Sequence, residues 1–193
     1  MNTINISSAS FGAKFINRIP VKKFDSLNNA YKDSLVSFVQ IDSRNRKDVA
    51  ALMDTAKYWR DGYYADNIAY TARELYLGKM DDNHYQVYAL TSQKKQFDNL
   101  LSEKILGLIE LENKPDYAEI LHLQVDPELI YTNQPPRYKY VGTGILNSLK
   151  KFYNKTLELV SVCSAVEFYQ KNGFEICSST SLRFRWKPSK IKH

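Results

Sequence analysis

Hydrophobic and polar positions alternate or repeat along most of the chain in ways that predict its secondary structure. Strand-length runs of apolar, β-branched and aromatic residues occur at 34–42, 85–91, 104–112, 117–125, 157–162, 174–178 and 182–186. Apolar residues recur every three or four positions at 49–59, 68–76 and 145–153, which predicts helices, and a short helix is expected at 165–172. This order predicts one α/β domain, a mixed sheet with helices on both of its faces.

In residues 1–33 the hydrophobic positions follow no sustained periodicity, and Pro20 interrupts a mixture of apolar and basic residues. We interpret this stretch as an N-terminal extension, either an extended arm or a loosely docked segment. Residues 34–187 then form the predicted domain, and residues 188–193 form a basic C-terminal tail.

Composition narrows the class of protein. A chain of 193 residues with 44% hydrophobic and 25% charged residues has the mixture of a globular domain, which excludes wholesale disorder and disulfide or collagen scaffolds. No apolar run approaches the roughly 20 residues of a membrane span. The N-terminus also lacks the apolar core of a signal peptide. With only two cysteines, the simplest expectation is a cytoplasmic protein that does not act in membranes.

The net charge of +6 comes from the two ends of the chain. Residues 1–24 and 181–193 contain nine basic and no acidic residues, whereas the middle contains 18 basic and 21 acidic residues. Nucleic acid is therefore not the expected partner, although an RNA-associated protein that uses its basic ends stays an open alternative.

The segment Lys139-Tyr-Val-Gly-Thr-Gly144 follows a strand and begins a helix. Two glycines separated by one residue allow a sharp turn, so that several backbone N–H groups point outward at the helix N-terminus. These donors and the helix dipole favour a phosphate or pyrophosphate. The segment lacks the Gly-Lys-Ser/Thr of a P-loop and the third glycine of a dinucleotide fingerprint. Alternatively, the glycines serve only close packing where the helix begins.

Two segments, in this order, resemble the GNAT superfamily, the general-control-related N-acetyltransferases. Residues 139–144 resemble the family's Arg/Gln-x-x-Gly-x-Gly/Ala loop, with lysine in the first place. Ala165-Val-Glu-Phe-Tyr-Gln-Lys-Asn-Gly-Phe174 matches the family's Ala-x-x-Phe-Tyr-x-Lys-x-Gly-Phe signature at every fixed position. The resemblance covers about residues 34–186. It implies a mixed, mostly antiparallel sheet and acetyl-CoA as cosubstrate.

The resemblance also implies how acetyl-CoA would bind. The strand before the glycine loop would splay from its neighbour and pair its exposed backbone with the pantetheine arm, while the loop amides hold the pyrophosphate. Carried over to this sequence, the cofactor-binding residues are Leu123, Val125, Lys139, Tyr140, Val141, Gly142, Thr143 and Gly144.

Glu119 is the first candidate for a catalytic base, which acetyl transfer needs because an amine is mostly protonated at neutral pH. Strict alternation would place Glu119 on one face of the strand with apolar residues, namely Leu121, Leu123 and Val125. Ala118-Glu-Ile also resembles the start of the corresponding strand in histone-type members, whose glutamate is the base. The alternative is a glutamate at the rim of the sheet that forms a salt bridge.

Tyr169, in the Phe-Tyr position of the signature, is the candidate general acid for the CoA thiolate, with packing against the sheet as its alternative role. His122 would point to the other face of its strand from Glu119, and we predict a packed or surface residue there. Glu110 and Asp126 are weaker candidates for the base. The three histidines and two cysteines show no metal-ligand spacing, so no metal is expected.

The sequence thus predicts an acetyl-CoA-dependent N-acetyltransferase that moves an acetyl group directly to a primary amine. The alternative is a non-catalytic acyl-CoA-binding or protein-interaction module on the same fold. The identity of the amine acceptor and the oligomeric state are open at this point.

Overall fold

The computed structural model describes residues 12–59 and 63–188. Within them the strands are β1 Lys14–Asp25, β2 Ala30–Gln40, β3 Tyr85–Thr91, β4 Ile105–Asn113, β5 Tyr117–Val125, β6 Tyr138–Lys139, β7 Thr156–Val160, β8 Glu175–Ser178 and β9 Arg183–Trp186. The α-helices are α1 Arg46–Tyr58, α2 Tyr63–Tyr76, α3 Val141–Phe152 and α4 Val166–Lys171. Each element predicted from residue 34 onward occurs within a few residues of its predicted bounds. None of the helices described is long and apolar enough to cross a membrane.

The strands form a single sheet in the order β6-β1-β2-β3-β4-β5-β7-β9-β8. Neighbours pair antiparallel except β5 and β7, which run parallel. A parallel pair needs a crossover connection, and α3 supplies it between β5 and β7. The predicted mixed, mostly antiparallel sheet is confirmed.

Helices cover both faces of the sheet, as predicted. On one face, α1 and α2 bury small and aliphatic side chains, among them Leu52, Ala65 and Ile68, against β3 and β4. On the other face, α3 inserts its apolar stripe of Ile145, Leu146 and Leu149, each 0% exposed, against β1, β4 and β5. The α4 helix packs on this second face as well, through partly buried aromatic side chains.

The strand β1 corrects the interpretation of residues 14–25 as a loosely docked segment. This strand pairs with β2 over its whole length, and its Ile19 and Val21 are buried in the core under α3. Pro20 lies between them and is exposed. Within residues 12–59 and 63–188, the far side of β1 pairs with another strand only at residues 22–23, with β6. Proline is tolerated at such an edge because its missing N–H faces no partner strand. Residues 1–11 and 189–193, in the predicted extension and tail, lie outside the described residues.

Candidate active site

The strand β5 has an open edge over the second half of its length. β7 pairs with β5 only at residues 117–120, opposite residues 156–159. Beyond Ile120 the described part of the chain gives β5 no partner on this side, while β4 continues to pair with its other side as far as Val125. The strands therefore part where the sequence predicts a splay, and the backbone of residues 121–125 can pair with an extended ligand.

The helix α3 begins with a left-handed turn that leaves amides without intrahelical partners. Tyr140, its N-cap residue, has φ 67° and ψ 21°, and no side chain of the described residues caps the helix. The Gly144 N–H donates to the Tyr140 carbonyl at 2.8 Å, so the amides of Val141, Gly142 and Thr143 precede the first hydrogen bond of the helix. A left-handed residue followed by right-handed ones aims successive N–H groups to one side, which suits an anion.

Both glycines of this turn are also required by packing. A Cβ atom on Gly142 would lie 3.0 Å from Cζ of Phe168 and 3.5 Å from Cγ2 of Val125. A Cβ atom on Gly144 would lie 2.7 Å from Cγ2 of Ile19. The packing role that the sequence left open for these glycines is therefore real. The contact with Val125 further shows that α3 begins at the end of the open edge of β5.

The remaining predicted cofactor residues surround this junction. Leu123 and Val125 are partly buried and pack against the core on the α3 face, which leaves their backbone as the part available to a ligand. Lys139 is exposed, and its Nζ lies 4.0 Å from the centre of the Tyr31 ring. The side chain of Tyr140 is exposed at the turn itself.

Tyr169 is held in an aromatic cluster on α4. Its ring centre lies 5.1 Å from that of Phe168, 5.8 Å from that of Phe174 and 5.9 Å from that of Phe184. Burial, and after it the nearby Tyr64 of α2, raise the pKa of Tyr169 to about 12, so its phenol stays protonated at neutral pH. Tyr64 belongs to α2, which covers one face of the sheet, whereas Tyr169 of α4 packs on the other face.

A bulge at Leu121 changes which side chains of β5 share a face. β4 pairs Leu111 with Ile120 but Glu110 with His122, so Leu121 is an extra residue in β5. The prediction from strict alternation is therefore wrong in this strand.

As a result, Glu119 lies on the opposite face of the sheet from the two cofactor residues of β5. Glu119 is paired with Glu112, which alternation within β4 places on the same face as Glu110, the face covered by α2. Leu123 and Val125 pack on the α3 face.

Glu119 also belongs to an ion-pair network. Its Oε1 lies 3.5 Å from Nη1 of Arg183, which is 3.1 Å from Oε2 of Glu158, and Arg185 Nε lies 2.7 Å from Oε1 of Glu158. Glu119 sits opposite Glu158 in the paired part of the two strands, before they separate. The salt bridge that the sequence left open for Glu119 is present, and its catalytic role stays a prediction.

The structure brings together a second polar cluster that the sequence did not predict. Glu110 of β4 is buried, its Oε1 accepts from the Thr71 hydroxyl at 2.8 Å, and its Oε2 lies 2.7 Å from Nδ1 of His122. On the other side of the ring, Nε2 of His122 lies 3.3 Å from Nδ2 of Asn67, and the ring centre lies 5.4 Å from that of Tyr64. His122 is thus neither a core residue nor a free surface residue but part of a fixed network next to the splay.

Comparison with known proteins finds similar solved structures but no similar sequence family. No protein-family model matches the sequence, and no curated protein matches it significantly. A protein from Desulfovibrio desulfuricans, described as an acetyltransferase of the GNAT family, superposes with a TM-score of 0.52 at 12% identity, over 80% of this chain and 99% of its own. An acetyltransferase from Thermus thermophilus superposes with a TM-score of 0.50 at 12% identity, over 72% and 90% of the two chains.

A third solved structure, the PaiA N-acetyltransferase from Thermoplasma acidophilum in complex with coenzyme A, is 20% identical. Its TM-score is 0.48, and the match covers 79% of this chain and 98% of that chain. The two superpositions at a TM-score of 0.50 and above, one of them with a GNAT-family protein, show that the overall fold is shared. The chain therefore has the fold of the GNAT acetyltransferases.

Proposed function

We propose that this protein is an N-acetyltransferase that moves an acetyl group directly from acetyl-CoA to a primary amine. One observation carries the proposal: the open edge of β5 leads to the turn at which α3 presents three amides without intrahelical partners. A cosubstrate with an extended amide-containing arm and a pyrophosphate fits that combination, since the arm needs backbone partners and the pyrophosphate needs clustered donors.

In this proposal the chain binds acetyl-CoA mainly through its backbone. Residues 121–125, with Leu123 and Val125 among them, pair with the pantetheine arm along the open edge. The amides of Val141, Gly142 and Thr143 hold the pyrophosphate at the start of α3, whereas the predicted contribution of the Gly144 amide is corrected because this N–H donates to the Tyr140 carbonyl. The exposed Lys139 adds positive charge beside the pyrophosphate. The thioester then lies toward the bulge at Leu121, near Tyr169.

The chemistry is a single displacement. The amine nitrogen attacks the thioester carbon, so a C–N bond forms, the C–S bond breaks, and the amine gives up a proton to a base. Tyr169 donates its phenolic hydrogen bond or proton to the departing sulfur, a role suited to a group that stays protonated at neutral pH. Both substrates occupy one cleft, so no covalent enzyme intermediate is needed.

The experiment that tests this proposal combines acetyl-CoA calorimetry with thiol release. We expect the wild-type protein to bind acetyl-CoA and to release CoA when a suitable amine is added. Tyr169→Phe keeps the ring and its packing, so we expect unchanged acetyl-CoA affinity and a kcat that falls by about 10- to 100-fold. Absence of acetyl-CoA binding would overturn the proposal.

The non-catalytic module predicted as the alternative gives a different pattern. It would bind acetyl-CoA with normal affinity, yet no amine would release CoA above the uncatalysed rate. Tyr169→Phe would then change neither binding nor the background rate.

A further inference from the structure

In the Glu110–His122 pair, a buried carboxylate holds the imidazole ring through its Nδ1 atom. The side chain of Glu110 is 3% exposed, and the only hydrogen bonds that it makes among the described residues are from Thr71 and His122. A buried carboxylate needs such donors, because an unpaired charge in the interior is costly. His122 is 25% exposed, so one side of its ring reaches the protein exterior or a ligand.

These contacts determine which ring nitrogen of His122 carries the proton in the neutral form. The Glu110 carboxylate can only accept, so Nδ1 must donate to it at 2.7 Å. Nε2 is then left with its lone pair and accepts from the Asn67 amide at 3.3 Å, at the long end of the range for such bonds. An incoming donor can therefore replace Asn67 at Nε2 at little cost.

The position of His122 matches that of the reacting groups in the proposed function. His122 follows the bulge and lies in the part of β5 whose edge is open. Its ring neighbours Tyr64, and Tyr64 is close enough to Tyr169 to raise the pKa of that phenol. His122 therefore lies on the α2 face of the sheet with Glu110, and Tyr169 packs on the α3 face. Of the titratable groups described, Glu110 from β4 and Tyr64 from α2 contact the imidazole.

We propose that Nε2 of His122 is the catalytic base for the acceptor amine and that Glu110 is its positioning residue, an inference that rests on the proposed function. As the amine nitrogen bonds to the thioester carbon and the C–S bond breaks, Nε2 takes the proton that the nitrogen loses. The Glu110 carboxylate stabilises the resulting imidazolium. Tyr169 donates its hydrogen bond or proton to the departing sulfur. The imidazolium of His122 then releases its proton to solvent through the exposed side of the ring. Glu119, already bound to Arg183 before the strands separate, is not required for this step.

The decisive variant is His122→Asn. The asparagine amide can replace Nδ1 as the donor to Glu110, while the atom proposed as the base is removed. We expect unchanged acetyl-CoA affinity and a kcat reduced by about 100-fold or more, measured by thiol release with butylamine, spermidine and tyramine as acceptors. The rising limb of the pH–kcat profile should disappear as well. The matched control is His84→Asn, since His84 makes the same 2.7 Å contact from Nδ1 to a carboxylate, Asp81, at an exposed site.

Two carboxylate variants distinguish the role of Glu110 from that of Glu119 in the reaction. Glu110→Gln removes the charge that favours the imidazolium, so kcat should fall and the rising limb should move to lower pH, with no change in the KM for acetyl-CoA. A purely structural Glu110 would instead leave the pH profile in place. Glu119→Gln should lower kcat much less than His122→Asn does, because this inference gives the proton of the amine to His122. A large loss of kcat in Glu119→Gln with full activity in His122→Asn would assign the base to Glu119 and overturn the inference.

A second readout needs no acceptor. Nitrogen-15 NMR of the histidine rings in the acetyl-CoA complex, assigned with His122→Asn and His84→Asn, should show neutral His122 with the proton on Nδ1. A proton on Nε2 would overturn the inference and leave the proposed function intact. Failure of the wild type to bind acetyl-CoA, or binding without thiol release from any of the three amines, would overturn both.

Discussion

At the scale of single residues, the contact between Gly144 and Ile19 packs the glycine turn at the start of α3 against β1. An alanine Cβ at position 144 would lie 2.7 Å from Cγ2 of Ile19, well inside contact distance. Gly144→Ala should therefore lower the free energy of unfolding by about 1–3 kcal/mol, although alanine is the better helix former by about 1 kcal/mol.

A double-mutant cycle tests that contact. Ile19→Ala alone should cost roughly 2–5 kcal/mol, because it removes buried atoms, but it also removes the Cγ2 atom that obstructs position 144. In the Ile19→Ala background, Gly144→Ala should become neutral or stabilising. Urea denaturation of the four proteins gives the coupling free energy. Additive costs would show that the helix moves away without strain and that Gly144 is not fixed by Ile19.

At the scale of elements, the start of α3 allows a single amide to be removed. Thr143 is partly exposed and lies in the first turn, where proline is tolerated because the missing N–H has no partner within the helix. Thr143→Pro should weaken acetyl-CoA binding by about 10- to 100-fold, the cost of one hydrogen bond to a charged group, roughly 1.5–3 kcal/mol. Thr143→Ala, which keeps the N–H, is the matched control and should bind normally in calorimetry. Equal affinity of the two variants would mean that this amide does not contact the cosubstrate.

Most of the secondary-structure elements could be predicted from the sequence, but the strand β1 could not. Apolar periodicity predicted the strands and helices after residue 34, because the burial of one face imposes a hydrophobic period on the sequence. The exception is the two-residue strand β6, Tyr138–Lys139, which is too short to show a period. The glycine turn and Tyr169 could be proposed as site residues from the sequence because short motifs mark them, and their roles stay predictions. The β1 strand was missed because its two buried positions, Ile19 and Val21, are separated by an edge proline and surrounded by exposed charged residues.

The Glu110–His122 pair was missed for a different reason. A bulge adds one residue to a strand without a clear compositional mark, and here it moves His122 into register with Glu110. In the strict register that continues from Leu111 opposite Ile120, Glu110 would face Leu121 instead. Neither the ion pairs of Glu119 nor the network around His122 can be derived from alternation alone.

At the scale of the whole molecule, a single sheet has a hydrophobic core on each of its two faces. Helices α1 and α2 close one face and α3 and α4 the other, while β5 and β7 separate between them. In the proposed function, the cosubstrate and the acceptor would meet where these two strands separate. The stability of the candidate active site therefore depends on both cores, including the residues that are buried in the first turn of α1.

The first turn of α1 contains a carboxylate whose charge opposes folding. Asp48 is fully buried, its Oδ2 accepts from the Asp42 N–H at 3.2 Å, and its Oδ1 and the Oδ2 of Asp42 have no hydrogen-bond partner among the described residues. Burial first, and then the charges of Asp42 and Asp98, raise the pKa of Asp48 to about 7 from 3.8. Between these two pH values the folded protein holds a proton that the unfolded chain has lost, so stability falls as the pH rises through this window.

Asp48→Asn should therefore stabilise the protein, and more so at higher pH. The asparagine oxygen can still accept from Asp42, its NH₂ group replaces an unpartnered carboxylate oxygen, and no charge is buried. From urea denaturation at pH 5 and pH 8, we expect the gain over the wild type to widen by on the order of 2 kcal/mol. Asp54→Asn, at an exposed position of the same helix, is the control and should give no pH-dependent gain. A gain of equal size at both pH values would show that Asp48 stays ionised in the fold, with its charge matched by groups other than those that contact it here.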